Sequence, residues 1–126
     1  KGITPSDELI RQCPKDIEAA RELMLSLHRE GLEFDAVITS DDSLAVGAVK
    51  YAHIADISIP RDLSIIGYNN SLLARCTDPE ITSIDSKVEA LCTTTINTLM
   101  GVFSGVNVPS RTTIASDLIK RKTTNF

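Results

Sequence analysis

The chain has 126 residues, 42% of them hydrophobic and 24% charged, with a formal net charge of −4. That suffices for one domain with a real core and excludes a disordered segment. The small negative charge and the short basic cluster Lys120-Arg121-Lys122, which reads as a solvated strand end, give no electrostatic footprint for DNA or a membrane surface.

Residues 1–8 are polar and turn-rich, and Leu9 to Cys13 suits a short strand. The run DIEAARELMLSLHREG then places Ile17, Ala20, Leu23, Met24 and Leu27 at helical spacing. Asp16 can cap the start of this helix, and Gly31 sits where a C-cap favours positive φ. FDAVITS (34–40) reads as a buried strand, and DDSLAVGAVKYAHIAD (41–56) as a second helix. Its first-turn amides suit Asp42 or Ser43 as cap, and Leu44, Ala48, Tyr51, Ala52 and Ala55 share a stripe. LSIIGY (63–68) is another buried strand, after the break at Pro60. Short apolar strands alternating with helices predict βαβ units, a parallel sheet covered on both faces, and right-handed crossovers.

Beyond Asn70 the pattern changes. SLLARCTDPE (71–80) is irregular or a short helix, and ITSID (81–85) is extended. Ser86-Lys87-Val88-Glu89 fits a capping box. Val88, Leu91, Cys92, Thr95, Ile96, Leu99, Met100 and Phe103 then form an apolar stripe ended by Gly105. TTIASDLIKR (112–121) reads as a last strand or strand pair.

Parallel α/β sheets bind ligands beyond the carboxyl ends of their strands. Two polar clusters sit at such ends: Ser40-Asp41-Asp42 after FDAVIT, and Asn69-Asn70-Ser71 after LSIIGY. Amides and carboxylates suit a ligand rich in hydroxyls. Each cluster also has a purely structural reading, an aspartate as helix cap and an asparagine as turn residue. Between the two acids, Asp42 is the better cap and Asp41 the better ligand group.

Cys13, Cys76 and Cys92 are odd in number and widely spaced, with no C-x-x-C pair, which points to a reducing cytosol and to neither zinc nor a redox motif. No apolar run approaches the roughly 18 residues of a membrane span. His28 and His53 lie on separate helices without metal spacing. No nucleophile elbow, phosphate loop or dinucleotide fingerprint is present, so no enzyme and no cofactor is expected. The first residue is Lys1, with no signal peptide, so the chain is expected to be a piece of a longer, cytoplasmic polypeptide.

The run DAVITSDDSLAVGAVKYAHIADISIPRDLSIIGYNNS resembles the regulatory core of the LacI/GalR family of bacterial transcription factors. The matching elements are the pair Asp41-Asp42, the helix Leu44-Ala45-Val46-Gly47-Ala48, the loop Ile59-Pro60-Arg61-Asp62, and Gly67-Tyr68-Asn69-Asn70. PEITSID (79–85) is similar to the family's crossover segment, and TTIASDLIKRKTT (112–124) to its closing strand. The similarity is good over roughly 30–124 and loose over 1–29.

This resemblance implies an α/β fold, a parallel sheet flanked by helices, namely the C-terminal subdomain of a type I periplasmic-binding-protein-like fold. Residues 1–80 and 110–124 would form that subdomain. Residues 81–109 would be a crossover and a helix, 87–104, lying against an absent N-terminal subdomain. DNA would be bound only through an absent N-terminal domain. Asp41 and Asn69 would face a small sugar effector, with Asn70 beside them and Lys15 on a further site-lining turn. Asn69 departs from the family, which has an acid there, and NNS is similar to regulators of maltose and maltodextrin use. A homodimer would form through Leu44 to His53 and Ser71 to Thr77, with Leu44, Ala48, Tyr51, Leu72 and Leu73 as candidate contacts, unless Leu72, Leu73 and Ala74 pack on their own sheet.

Two rivals share the architecture. A phosphoacceptor receiver domain also has paired acids at a strand end, but it needs a third aspartate where LSIIGYNN ends in amides. A secreted sugar-binding protein of a transporter would use the same ligand logic.

Overall fold

A computed structural model describes residues 7–125; Lys1–Ser6 and Phe126, and with them most of the turn-rich start expected over 1–8, lie outside the described residues. After a 3-10 turn at Asp7–Leu9, helix α1 spans Ile17–Arg29. Asp16 Oδ1 accepts from the Ala19 amide at 2.9 Å, and Gly31 takes φ 77°, so both ends follow the sequence reading. Strand β1 is Ala36–Ile38, helix α2 is Asp42–Ile54, and strand β2 is Ser64–Tyr68. A 3-10 turn at Leu72–Arg75 leads to strand β3, Thr82–Asp85. Helix α3 runs Val88–Phe103, and strand β4 is Asp117–Ile119.

The sheet has the order β1-β2-β3-β4. β1, β2 and β3 are parallel, with Ile38 opposite Ile66 and Ile66 opposite Thr82. β4 runs antiparallel to β3. The mixed α/β class is as expected. The extended segment 81–85, assigned to a crossover, instead supplies a strand of this sheet over Thr82–Asp85.

The core lies between α2 and the sheet. Ala45, Ala48, Val49, Tyr51 and Ala52 of α2 pack with Met24, Leu63, Ile65, Ala74 and Ile81. A Cβ on Gly47 would stand 2.5 Å from the Ile17 carbonyl oxygen and 2.6 Å from the Ala20 Cβ, so glycine lets α1 and α2 approach that closely. Along β2, Ile65 and Gly67 are buried while Ser64, Ile66 and Tyr68 are partly exposed. One face of the sheet is therefore covered by α2 and the other only in part, which corrects the expected two-sided cover.

Four further expectations change. Leu9 to Cys13 forms no strand, because a strand needs a partner ladder and this segment is held off β1 by a groove of about 700 Å³ lined by Leu9, Cys13, Leu23, Phe34 and Ile38. For the same reason β1 is a short edge strand, shorter than FDAVITS, with Ile38 73% exposed. Ala48 and Tyr51 are 1% and 2% exposed inside the chain's own core, so they present nothing to a second protomer. The capping box at Ser86 does not form: Lys87 precedes α3 at φ 55° without a side-chain cap bond, and the Ser86 hydroxyl points to Asn69 Oδ1 at 3.4 Å.

Helix α3 keeps the expected boundaries, with Gly105 at φ 70° beyond its end, but none of its residues is buried. Val88, Leu91, Ile96, Leu99, Met100 and Phe103 are all exposed.

Candidate functional site

The carboxyl ends of β1, β2 and β3 open on one side of the sheet, and each carries a polar residue just past its end. After β1 the chain reaches Asp41, whose extended backbone makes it the N-cap of α2. Its Oδ1 accepts from the Ser43 amide at 2.9 Å and the Ser43 hydroxyl at 2.6 Å. Its Oδ2 accepts from Asn69 Nδ2 at 2.9 Å and pairs with Lys15 Nζ at 2.7 Å. Those four donors match the roughly four acceptor sites of a carboxylate. Burial pushes the Asp41 carboxyl up, but Lys15, Ser43 and Asn69 together outweigh it and hold the group at about 2.

The cap is thus Asp41 and not Asp42. Asp42, the first helical residue, turns inward and is 1% exposed. Its Oδ2 accepts from the Ser71 amide at 2.6 Å and its Oδ1 from the Ser83 hydroxyl at 2.6 Å. A Cβ on Gly67 would overlap this carboxylate, so only glycine leaves room for it in β2. Asp42 therefore ties α2 to the β2 exit and to β3, and keeps the strand ends in register with each other.

Asn69 and Asn70 take φ 93° and 49°. Asparagine tolerates this left-handed region better than most side chains. The two amides then part. Asn69 faces Asp41. Asn70 turns away, its Oδ1 accepting from Arg121 Nη2 at 2.5 Å and its Nδ2 reaching Asp85 Oδ2 at 3.4 Å. The Asn70 amide also donates to Ser83 Oγ at 3.0 Å.

Of the four candidate ligand residues, Lys15, Asp41 and Asn69 meet at one point and Asn70 stands apart. Lys15 is 69% exposed over its side chain, so its pairing with Asp41 is held loosely. Arg121 corrects the sequence reading of a solvated basic cluster: its side chain is 10% exposed and donates to the Ile81 carbonyl at 2.7 Å as well as to Asn70. Alternation was the available signal, since Lys120 and Lys122 are exposed and only the residue between them points inward. Among the described residues, no three His, Cys, Asp or Glu side chains gather to hold a metal ion, and no helix is long and apolar enough to cross a membrane.

A mostly parallel sheet with polar side chains gathered at its carboxyl ends is an α/β binding-domain architecture, and the chain belongs to the periplasmic binding protein-like domain family, whose profile matches residues 1–124. Within it, the relatives are LacI/GalR-type regulators. An HTH-type transcriptional regulator of Lachnoclostridium phytofermentans is 54% identical over 123 residues, which is 97% of this chain and 37% of that protein. The Escherichia coli transcriptional repressor ascG superposes with a TM-score of 0.85 at 25% identity, over 97% of this chain and 44% of that one. A LacI family transcriptional regulator from Arthrobacter sp. FB24, solved in complex with lactose, superposes with a TM-score of 0.79 at 25% identity, over 87% of this chain and 42% of that one. The chain thus spans little more than a third of the length of that Lachnoclostridium regulator. These relatives are transcriptional regulators, not enzymes.

Proposed function

We propose that the chain is the ligand-sensing part of a LacI/GalR-type DNA-binding regulator and supplies one wall of a small-sugar site. The convergence of Lys15, Asp41 and Asn69, from three separate segments, carries this reading. A carboxylate accepts sugar hydroxyls, an amide both donates and accepts, and an ammonium donates, which together suit a polyhydroxylated guest. The lactose complex of the Arthrobacter relative supports a disaccharide. Maltose or a short maltodextrin is the guest we propose, on the NNS run after Gly67-Tyr68.

The remaining wall and the operator-binding domain would come from the rest of a longer polypeptide, and the exposed stripe of α3 would pack against it. Leu72 and Leu73, both exposed, with the half-buried Leu44, would contribute to a homodimer contact. The regulator would act in the cytoplasm.

Thermal unfolding of the full-length regulator tests the sugar. Binding to the native state raises Tm by linkage. Maltose and maltotriose should raise it, galactose, ribose and a purine should not, and Asp41→Ala and Asn69→Ala should each abolish the shift. A shift with a different sugar would discard maltose; no shift with any of these ligands would discard the sugar site.

A further inference from the structure

Between β3 and β4 the chain leaves the sheet and comes back. β3 ends at Asp85, α3 begins at Val88, and the chain re-enters the sheet at Asp117. Exit and return lie side by side, because Asp85 is the Cα partner of Asp117 on the antiparallel ladder. Two like charges directly opposite on a ladder repel. Lys87 answers both: its Nζ lies 2.6 Å from Asp117 Oδ2 and 3.5 Å from Asp85 Oδ2.

Lys87 is also held where a side chain is disfavoured. Its φ is 55°, in the left-handed region. Its amide donates to Asp85 Oδ1 at 2.8 Å, so main chain and side chain of one residue grip the same carboxylate. That backbone bond is the first cause holding Asp85 below its usual range, and the bond to Asp117 is the first cause raising Lys87. Arg121 donates to Asn70 and the Ile81 carbonyl, and Asn70 in turn reaches Asp85. No side chain of α3 is fully buried: the return segment, with Pro109, Thr112 and Ile114, runs beside Leu91, Leu99 and Val102, and the base of the helix is tied to the sheet at Lys87.

We propose that Lys87 is a charge clasp that joins the exit and return strands and fixes the angle at which α3 leaves the sheet. With the clasp open, two opposed carboxylates push the crossing strands apart and α3 swings as a unit. The clasp goes beyond the sugar site and does not depend on it, although Asn70 touches Asp85 and so borders both.

Cys76 and Cys92 are exposed, one before β3 and one on α3, and serve as attachment points for spin labels once Cys13→Ser removes the third thiol. Pulsed electron paramagnetic resonance on the full-length regulator, with any cysteine outside this segment also replaced, then reads the spread of distances between α3 and the sheet, with no sugar present. Lys87→Met should roughly double the width of the distribution, and Lys87→Arg should leave it narrow, since the charge alone is restored. About 1 M salt, where the Debye length falls to about 3 Å, should widen the distribution of the unsubstituted chain. Asp117→Asn, at an exposed strand position, should widen it less than Lys87→Met and stands in if the latter fails to fold. An unchanged width in Lys87→Met or Asp117→Asn, or an equal widening in Lys87→Arg and Lys87→Met, overturns the clasp. The absence of ligand keeps this result separate from the sugar tests.

Discussion

Helices α2 and α3 are both rich in apolar residues, and they end up in opposite environments. In α2, Asp42, Ala45, Gly47, Ala48, Val49, Tyr51 and Ala52 are all buried. In α3, nothing is. Neighbours, and the small residues that admit them, are the difference. The small residues of α2 let α1 press on one side and the sheet on the other, so that burial follows from close approach. The large residues of α3, from Leu91 to Phe103, make a stripe that needs a separate surface to cover it. Apolar content therefore marks a helix that wants a partner, and only size and neighbours decide whether the partner is inside the chain.

The contrast is open to direct attack. The largest expected effect is in the core under α2. Ile65 is fully buried, and Ile65→Ala should lower unfolding free energy by about 3–4 kcal/mol in urea titration. A loss below about 1 kcal/mol would mean that α2 does not seal that face of the sheet. Close behind is Asp42→Ala, which strands the Ser71 amide and the Ser83 hydroxyl and should cost about 3 kcal/mol by the same assay. Asp42→Asn should recover only part of it, since an amide has a single acceptor oxygen for two donors.

A smaller effect concerns pH. The folded Asp41 lies at about 2 against an ordinary value of 3.8. A depressed carboxyl contributes stability above its unfolded value, and that contribution fades as pH falls from about 4 through about 2. Asp41→Asn should flatten this part of the stability–pH curve; a curve of the same slope would place the acid sensitivity elsewhere. The smallest effect belongs to α3. Leu99→Ala, on the exposed stripe, should change stability by no more than about 0.5 kcal/mol. A loss above about 1.5 kcal/mol that grows with protein concentration would show a second copy seated on α3.

Much of this was legible in the residues. Ala20, Met24 and Leu27 drew the buried face of α1, with Asp16 and Gly31 marking its ends. LSIIGY read as a strand, and the amides after it as its exit. The rest depended on partners remote in sequence. Local chemistry favoured Asp42 as the cap, and that choice is reversed by Ser71 and Ser83, about thirty and forty residues on, which draw Asp42 inward and leave the cap to Asp41. Ser86 and Glu89 have the spacing of a capping box, yet Lys87 adopts a left-handed turn that points the Ser86 hydroxyl at Asn69. The extent of β1 was overread because local pattern does not say which edge of a sheet a strand will occupy.

The Asp41 carboxylate has one more consequence. Its acceptor positions are already in use, so a newcomer cannot add a bond there; it has to exchange one. Ser43 is part of the helix start and stays. Lys15, long and solvent-facing, is the one that can step aside. Any guest at this carboxylate is thus weighed against an ammonium, and discrimination rests on the difference between two similar bonds rather than on the strength of either.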